Sequence, residues 1–155
     1  MAKIYTSRFF NPELKNPAYV KVGIVRSLPK HPLPYSIYGN IFELSPQRGL
    51  INESDREVFK KRYFAQLNSL GIESVRRRID AFEKCGDIVL LCYEDVRKPN
   101  EWCHRTFFAE WYYNHFGKAI EELADTSKAP KHSPFAMLER ISQKTEQLGL
   151  FDFLS

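Results

Sequence analysis

The sequence predicts an α/β fold with a mostly parallel central sheet, and two observations lead to this fold class. The run from Ile88 to Cys92 is continuously apolar and follows a Gly-Asp turn, which is the pattern of a strand buried on both faces of a sheet. Aromatic residues then recur at helical spacing between residues 100 and 116, so a helix follows this central strand. Strands that alternate with helices are typical of parallel sheets.

The N-terminal part of the chain is predicted to supply two more strands and a long loop. Residues 3–6 and 19–25 are rich in β-branched and aromatic residues, which favour strands. Residues 28–52 are broken by several prolines and glycines, so no long element fits there. This loop either forms a lid or wall of a site through its aromatic residues, or packs on those residues itself.

Three helices and a last short strand are predicted from the remaining pattern. The first two helices span about residues 55–70 and 72–84, where apolar residues recur on one face. The third spans residues 100–116, with Asn100 as its N-cap. Residues 119–123 are predicted to form the final strand.

Composition divides the chain into four parts. Residues 1–124 are predicted to form the α/β domain, and residues 125–133, rich in Lys, Pro, Ser and Thr, form a linker. Residues 134–146 follow as a C-terminal helix. Residues 147–155 are a tail.

Length, charge and cysteine content narrow the class of protein. The chain has 155 residues and is 43% hydrophobic, enough for one ordinary core. Its net charge of +4 permits contact with phosphates but is below that of a dedicated nucleic-acid binder. The number of cysteines is odd, and neither a signal-peptide pattern nor an apolar run of membrane-spanning length occurs. We therefore expect a cytoplasmic protein with free thiols and no membrane partner.

The sequence Cys103-His104-Arg105 begins just after the central strand, at the edge where open α/β sheets bind their ligands. A thiol near a helix N-terminus is favoured as thiolate, so Cys103 is a candidate nucleophile. His104 is a candidate acid or base, although neighbours on a helix point about 100° apart and need not touch. Alternatively, the helix N-terminus and Arg105 hold an anion with no covalent role for sulfur.

Glu94 and Arg26 are predicted to join this site because each follows a parallel strand at the same edge of the sheet. Glu94 can orient Arg105 or His104, or act as an acid or base. Arg26 is a candidate for binding an anion. In a purely structural alternative, Cys103 packs beneath the sheet, Arg105 pairs with Glu94, and His104 lies at the surface.

No metal site and no cofactor are expected. Cys92 lies on the central strand and Cys103 on the next helix, without the close sequence pairing typical of zinc ligands. The other histidines are scattered along the chain.

The strand end Leu-Leu-Cys-Tyr-Glu, a short loop and Cys-His-Arg at a helix start resemble the bacterial and viral family catalogued as domain of unknown function 488. The resemblance extends to Ile-Tyr-Thr-Ser near the N-terminus and covers about residues 3–123. It implies a small three-layer, Rossmann-like fold whose site gathers Arg26, Glu94 and the Cys-His-Arg turn. The family commonly has Asp two residues before the strand-end Arg, where this chain has Ile24. If that Asp is catalytic, this chain either has lost the group or uses Glu94 or Asp95 in its place.

The end of the chain carries a second resemblance. Gln147-Leu148-Gly149-Leu150-Phe151 is similar to the docking peptide of the bacterial sliding clamp, in which Gln-Leu precedes a small or acidic residue and Leu-Phe. With Phe153 in register, the same tail also resembles the docking box for the archaeal and eukaryotic clamp. A short end with Leu and Phe anchors is a plausible peptide ligand. The alternative is that these residues fold back onto the domain.

Together, these patterns predict a cytoplasmic enzyme that acts on DNA or on a nucleotide-like anionic substrate and is recruited to DNA by the sliding clamp. In this hypothesis Arg26 and Arg105 hold the anionic group. Cys103 or Glu94 performs or assists the chemistry, and His104 transfers protons. Two alternatives stay open: a non-catalytic clamp-binding factor, such as a viral one, and a small-molecule enzyme whose tail is structural.

Overall fold

A computed structural model describes residues 2–128 of the chain, and these residues contain a parallel sheet and three α-helices. The strands are β1 (Ile4–Arg8), β2 (Tyr19–Gly23), β3 (Gly39–Asn40), β4 (Asp87–Cys92) and β5 (Glu121–Glu122). The helices are α1 (Arg56–Leu70), α2 (Ile72–Asp80) and α3 (His104–Phe116). The strand order is β3-β2-β4-β1-β5, and every pairing is parallel. The predicted α/β, Rossmann-like fold class is therefore confirmed.

The strand β4 is the centre of the sheet, as its apolar run predicts. It pairs with β1 on one side and β2 on the other, with Leu90 opposite both Thr6 and Val22. Residues 88–92 of β4 are all buried because both faces of the strand are covered. The carboxyl ends of β2 and β4 consequently lie side by side.

The two faces of the sheet are covered in different ways. All three helices pack on the face that carries Ile88 and Leu90, and their aromatic residues fill this larger core. The opposite face carries Val89 and Leu91 and is covered by loop residues and by a 3₁₀ turn that includes Leu14. The fold therefore has a helical layer, a sheet and an irregular layer.

The predicted start of α3 is wrong by four residues. Asn100 has a φ of 60°, in the left-handed region, which a helix cannot continue through. The N-cap is instead Cys103, in extended conformation, and the helix begins at His104. Residues 100–102 form the wall of a cleft rather than the first turn of a helix.

The predicted absence of a long element in residues 28–52 is confirmed. The stretch contains only the two-residue strand β3 and the 3₁₀ turns Phe42–Leu44 and Arg48–Leu50. The second predicted helix is shorter than expected, since α2 ends at Asp80 and a separate 3₁₀ turn follows at Glu83–Cys85.

The first residues of the predicted linker are attached to the domain by ion pairs. Asp125 binds Arg8 at 2.5 Å, and the hydroxyl of Ser127 accepts hydrogen bonds from Arg8 and Arg97 at 2.7 and 3.0 Å. The predicted C-terminal helix, 134–146, and the tail, 147–155, lie outside the described residues. In the part of the chain that is described, no helix has the length and apolar character needed to cross a membrane.

Candidate functional site

A cleft of about 490 Å³ lies at the carboxyl ends of β2 and β4 and beside the start of α3. Its position follows from the parallel sheet, since the loops after adjacent strands meet at one edge. The residues that line it come from five segments: Val25, Arg26 and Ser27; Pro46, Ile51 and Glu53; Phe59; Cys92, Tyr93 and Glu94; and residues 100–104. Four of the five predicted site residues, Arg26, Glu94, Cys103 and His104, are thus brought together, and Arg105 is not among them.

The floor of the cleft is formed by Cys92 and Cys103, which are 0% and 2% exposed. Cys92 ends β4 and Cys103 caps α3, and the chain folds back between them so that their side chains meet. Their sulfurs are joined in a disulfide, with Cα atoms 7.4 Å apart. The expectation of free thiols is therefore wrong for this pair and holds for Cys85, which is exposed and unbonded.

His104 lies beside Cys103, and one of its two ring nitrogens is hydrogen-bonded to the backbone. Its Nε2 is 2.6 Å from the carbonyl oxygen of Ile24, which can only accept a hydrogen bond, so Nε2 carries the proton. The lone pair of the neutral ring is then on Nδ1, which is 3.7 Å from Cys103 Sγ. Burial lowers the pKa of His104 to about 4; the hydrogen bond to Ile24 offsets part of this lowering, and the charge of Arg105 adds a smaller lowering. His104 is not the surface residue of the structural alternative.

Arg105 lies behind the floor rather than in the cleft. Its side chain is completely buried, and its Nε and Nη2 donate to the carboxylate of Glu122 at 2.9 and 2.8 Å. Its Nη1 donates to the carbonyl oxygen of Glu94 at 2.8 Å and contacts Cys92 Sγ at 3.0 Å. Each guanidinium nitrogen thus has a partner within the protein, and Arg105 does not line the cleft, so this geometry gives no support to its predicted role in anion binding. The partner predicted in the structural alternative, the Glu94 carboxylate, is wrong.

Arg26 reaches the cleft as predicted. It follows β2 and is partly exposed, with Nη1 3.4 Å from the carbonyl oxygen of Pro46. Its guanidinium lies 5.0 Å from the ring centroid of Phe42, which holds its stem against the loop. Within residues 2–128, Arg26 is the one cationic side chain among those that line the cleft.

Three carboxylates line the cleft opposite this single guanidinium. Glu53 is paired with Arg62 at 3.5 Å, whereas Glu94 and Glu101 are exposed to solvent. The lining therefore has more acidic than basic groups, which disfavours a substrate with several phosphates. Glu101 was not predicted to line the site, because the predicted helix start placed it in a helical turn.

Asp95, the other acidic residue after β4, belongs to a separate cluster of ion pairs. It pairs with Arg97 at 2.9 Å and lies 3.6 Å from Arg8. Burial alone would raise the pKa of the Asp95 carboxyl, but hydrogen bonds from Arg97 and the charges of both arginines outweigh it and hold that pKa below its usual value. Of the two acids, only Glu94 lines the cleft.

Aromatic side chains form one wall of the cleft. The ring of Trp102 meets that of Phe59 edge to face, with centroids 4.7 Å apart. Tyr93 is positioned by its hydroxyl, which donates to the carbonyl oxygen of Ser27 at 2.6 Å. Such rings can contact a flat apolar face of a ligand. Trp102 is one of the aromatic residues that the helical spacing placed in the helix, whereas it precedes α3 and lines the cleft.

The loop of residues 28–52 supplies a wall, but not through the aromatic residues expected. Pro46 and Ile51 line the cleft. The hydroxyl of Tyr35 donates to the carbonyl oxygen of Phe9 at 2.6 Å, on the opposite face of the sheet. Phe42 lies under Arg26, outside the lining of the cleft.

Comparison of the chain with family models, curated proteins and solved structures found no match. Two resemblances therefore stay predictions: that of the domain to domain of unknown function 488, and that of the tail to clamp-docking peptides.

Proposed function

We propose that this chain is an enzyme whose active site is the cleft, and that its substrate is a small, ring-bearing molecule without phosphate, such as a nucleoside-like or sugar-like compound. The observation that carries the proposal is the composition of the lining. A buried sulfur and imidazole floor lies below two solvent-accessible carboxylates and an aromatic wall. Pockets of this kind, with few polar groups among apolar walls, are typical of small-molecule sites.

The acidic lining favours this substrate over the anionic one predicted from sequence. Nucleic-acid binding depends on cationic side chains that neutralise phosphates. The cleft has Arg26 alone for this purpose, against Glu53, Glu94 and Glu101. Carboxylates instead accept hydrogen bonds from the hydroxyl and amino groups of an uncharged ligand. The geometry thus supports a small-molecule substrate best, as in one alternative of the sequence analysis, whereas the structural tail of that alternative is not part of the proposal.

In this proposal each lining residue has a distinct role. Glu94 acts as the general acid or base, since Asp95 is held in its ion cluster. In the reduced protein, Cys103 and His104 provide the reactive floor, with Nδ1 of the imidazole 3.7 Å from the sulfur. Arg26 holds one oxygen of the substrate at the rim.

The proposal is tested by binding of defined probes to the reduced, full-length protein. Ligand-observed NMR would compare adenosine and cytidine, their 5′-monophosphates, and a short single-stranded DNA. We expect the nucleosides to bind more tightly than the monophosphates, and Glu94→Gln and Glu101→Gln to weaken binding. Tyr38→Ala, an exposed change outside the cleft, serves as the control. Binding of the oligonucleotide but not of either nucleoside would contradict the proposal and support the hypothesis that the substrate is DNA or a nucleotide-like anion.

We also propose that residues 147–151 dock on a sliding clamp, so that the enzyme is recruited to replicating or repaired DNA. The observation in favour is the Gln-Leu-Gly-Leu-Phe pattern itself. Pull-down of the full-length protein by purified bacterial clamp should be lost in Leu150→Ala/Phe151→Ala and kept in Lys144→Ala, which changes a residue outside the pattern. Loss on Phe153→Ala with the archaeal or eukaryotic clamp would instead indicate the second register. Clamp binding without any cleft ligand would support the non-catalytic factor.

A further inference from the structure

We propose that Cys92, Cys103 and His104, in the reduced protein, bind one thiophilic divalent cation of the Zn²⁺ class at the floor of the cleft. As a binding site this stands on its own geometry. As a catalytic centre it rests on the proposed function of the cleft. The expectation of no metal site came from the wide separation of the two cysteines in sequence, which the fold removes.

The three ligand atoms are close enough to share an ion. One sulfur or nitrogen from each residue lies within 4.8 Å of the other two, and all three residues are buried. A tetrahedral ion with Zn–S and Zn–N bonds of ordinary length separates its ligand atoms by roughly 3.5 to 4 Å. The 3.7 Å between Cys103 Sγ and His104 Nδ1 already meets this requirement.

The backbone spacing of the two cysteines suits an ion better than a direct bond. Their Cα atoms are 7.4 Å apart. Disulfides usually join Cα atoms roughly 4.4 to 6.8 Å apart, whereas an ion inserted between two sulfurs accommodates a wider separation. The disulfide and the bound ion are alternative states of the same two sulfurs, because the ion requires both thiols to be reduced and deprotonated.

The imidazole is held as metal-bound histidines are. Its Nε2–H donates to the carbonyl oxygen of Ile24 at 2.6 Å. A backbone carbonyl on the second ring nitrogen is a common outer partner of metal-ligating histidine, because it fixes both the tautomer and the ring orientation. The lone pair is thereby left on Nδ1, the ring nitrogen that is 3.7 Å from Cys103 Sγ.

The surrounding charges balance those of such a site. Two thiolates neutralise one divalent ion, so the buried floor has no net charge. Arg105 Nη1, 3.0 Å from Cys92 Sγ, can donate to that thiolate, and the charge of Arg105 is itself compensated by Glu122 at 2.8 Å. Hydrogen bonds to ligating sulfur from outer residues are typical of metal–thiolate sites.

Three protein ligands leave a fourth position, and the cleft is the side from which a water can reach it. An ion held by the three residues would lower the pKa of this water, so that hydroxide is available near neutral pH. The reaction class would then be metal-assisted hydrolysis. The hydroxide oxygen would bond to an electrophilic carbon of the substrate, the bond from that carbon to the leaving nitrogen or oxygen would break, and Glu94 would pass the proton from the water to the leaving group. The substrate class is then a ring compound with a hydrolysable C–N or C–O bond.

The test is a metal titration of the full-length protein, reduced with a phosphine, stripped with a chelator and titrated with Co²⁺ as a spectroscopic probe. We expect one equivalent to bind, with sulfur-to-cobalt charge-transfer bands and the strong visible bands of tetrahedral Co²⁺, and Zn²⁺ to displace it. Cys92→Ser and Cys103→Ser should each weaken binding by more than the roughly 10- to 100-fold cost of losing an outer partner. The matched control is Cys85→Ser, at the exposed cysteine.

Wild-type Co²⁺ affinity in both serine variants, or equal loss in Cys85→Ser, would overturn the proposal. Where a serine variant fails to fold by circular dichroism, alkylation of the wild-type protein replaces it: Zn²⁺ should slow modification of Cys92 and Cys103 but not of Cys85, and equal rates at all three with and without Zn²⁺ would overturn the site. Binding of nucleosides without Co²⁺ binding would keep the proposed function and refute the metal.

Discussion

The buried ion pair between Arg105 and Glu122 predicts an unequal response to loss of its two partners. Arg105 is 0% exposed, whereas the Glu122 side chain is 38% exposed. Glu122→Leu leaves a guanidinium in the interior without a counter-charge, and Arg105→Met leaves a carboxylate that can turn to water. The variant that removes the acid should therefore be the less stable one, although the Cys-His-Arg pattern draws attention to the arginine.

The size of the difference follows from the contacts. Removing one partner of a fully buried pair costs about 3–5 kcal/mol, and the partial exposure of Glu122 reduces this to roughly 2–4 kcal/mol for Glu122→Leu. That change also takes away the acceptor for the hydroxyl of buried Thr6, at 2.8 Å. Arg105→Met loses the hydrogen bond to the Glu94 carbonyl, which is worth about 1–2 kcal/mol. We expect Arg105→Met/Glu122→Leu to recover much of the stability, because no charge is then left unpaired.

The assay is urea unfolding of the four reduced proteins, followed by circular dichroism, with the midpoint and slope compared. Glu121→Leu is the matched control, since it changes the exposed neighbour on β5. A midpoint for Arg105→Met at or below that of Glu122→Leu would refute the reasoning, and so would a double variant less stable than both single ones. Either result would mean that Arg105 is not held mainly by Glu122.

The remaining predictions concern acid stability, one hydrogen bond and one turn. Burial alone would raise the pKa of the Asp95 and Asp125 carboxyls, but contacts with Arg97 and Arg8, and with Ser127 for Asp125, hold both pKa values below the usual 3.8. The stability that these two carboxylates contribute is therefore complete above the unfolded-state pKa of about 3.9 and is lost as the pH falls below it. The urea midpoint of Asp95→Asn/Asp125→Asn should then fall less steeply with decreasing pH than that of the wild type. An equally steep fall in both proteins would contradict this. The Tyr63 hydroxyl donates to the buried carbonyl of Leu44 at 2.5 Å, and Tyr63→Phe should lose about 1–3 kcal/mol, while Tyr113→Phe at an exposed position should lose none. Gly71 has a φ of 101°, so Gly71→Ala should destabilise by about 1 kcal/mol or more, unlike Gly49→Ala; equal midpoints would show that the turn accepts a side chain.

The parts of the fold that depend on local pattern were predictable from the sequence. The continuous apolar run identifies β4 as the central strand, because only a strand covered on both faces needs it. Aromatic spacing identifies α3, and the repeated prolines exclude a long element before α1. Together these features correctly predict that the cleft lies at the carboxyl edge of the sheet. The start of α3 was missed because Asn is both a good N-cap and a residue that tolerates positive φ.

The contacts that define the site are mostly long-range, and no local pattern carries them. Glu122 lies 17 residues after Arg105, on an edge strand of two residues that pairs with β1. Cys92 and Cys103 are 11 residues apart, so a rule based on close cysteine spacing does not detect them. When a helix is the next element after a parallel strand and packs on the same sheet, the end of the strand and the start of the helix can lie close together even if the loop between them is long. A search for ligand residues at those two positions would have found the pair.

Three adjacent residues of the Cys-His-Arg turn occupy two different environments, since Cys103 and His104 line the cleft and Arg105 does not. Successive residues of a helix point about 100° apart, so residues 103 and 104 can face the cleft while residue 105 faces the sheet edge behind it. From there Arg105 contacts Cys92 Sγ and the Glu94 carbonyl at the end of β4, and also Glu122 on β5. It therefore joins the cleft floor to an edge strand, and its charge is compensated by Glu122. If the cleft is the active site that we propose, Arg105 would hold its floor in place, and Arg26, which lines the cleft, would be the cation that a substrate contacts.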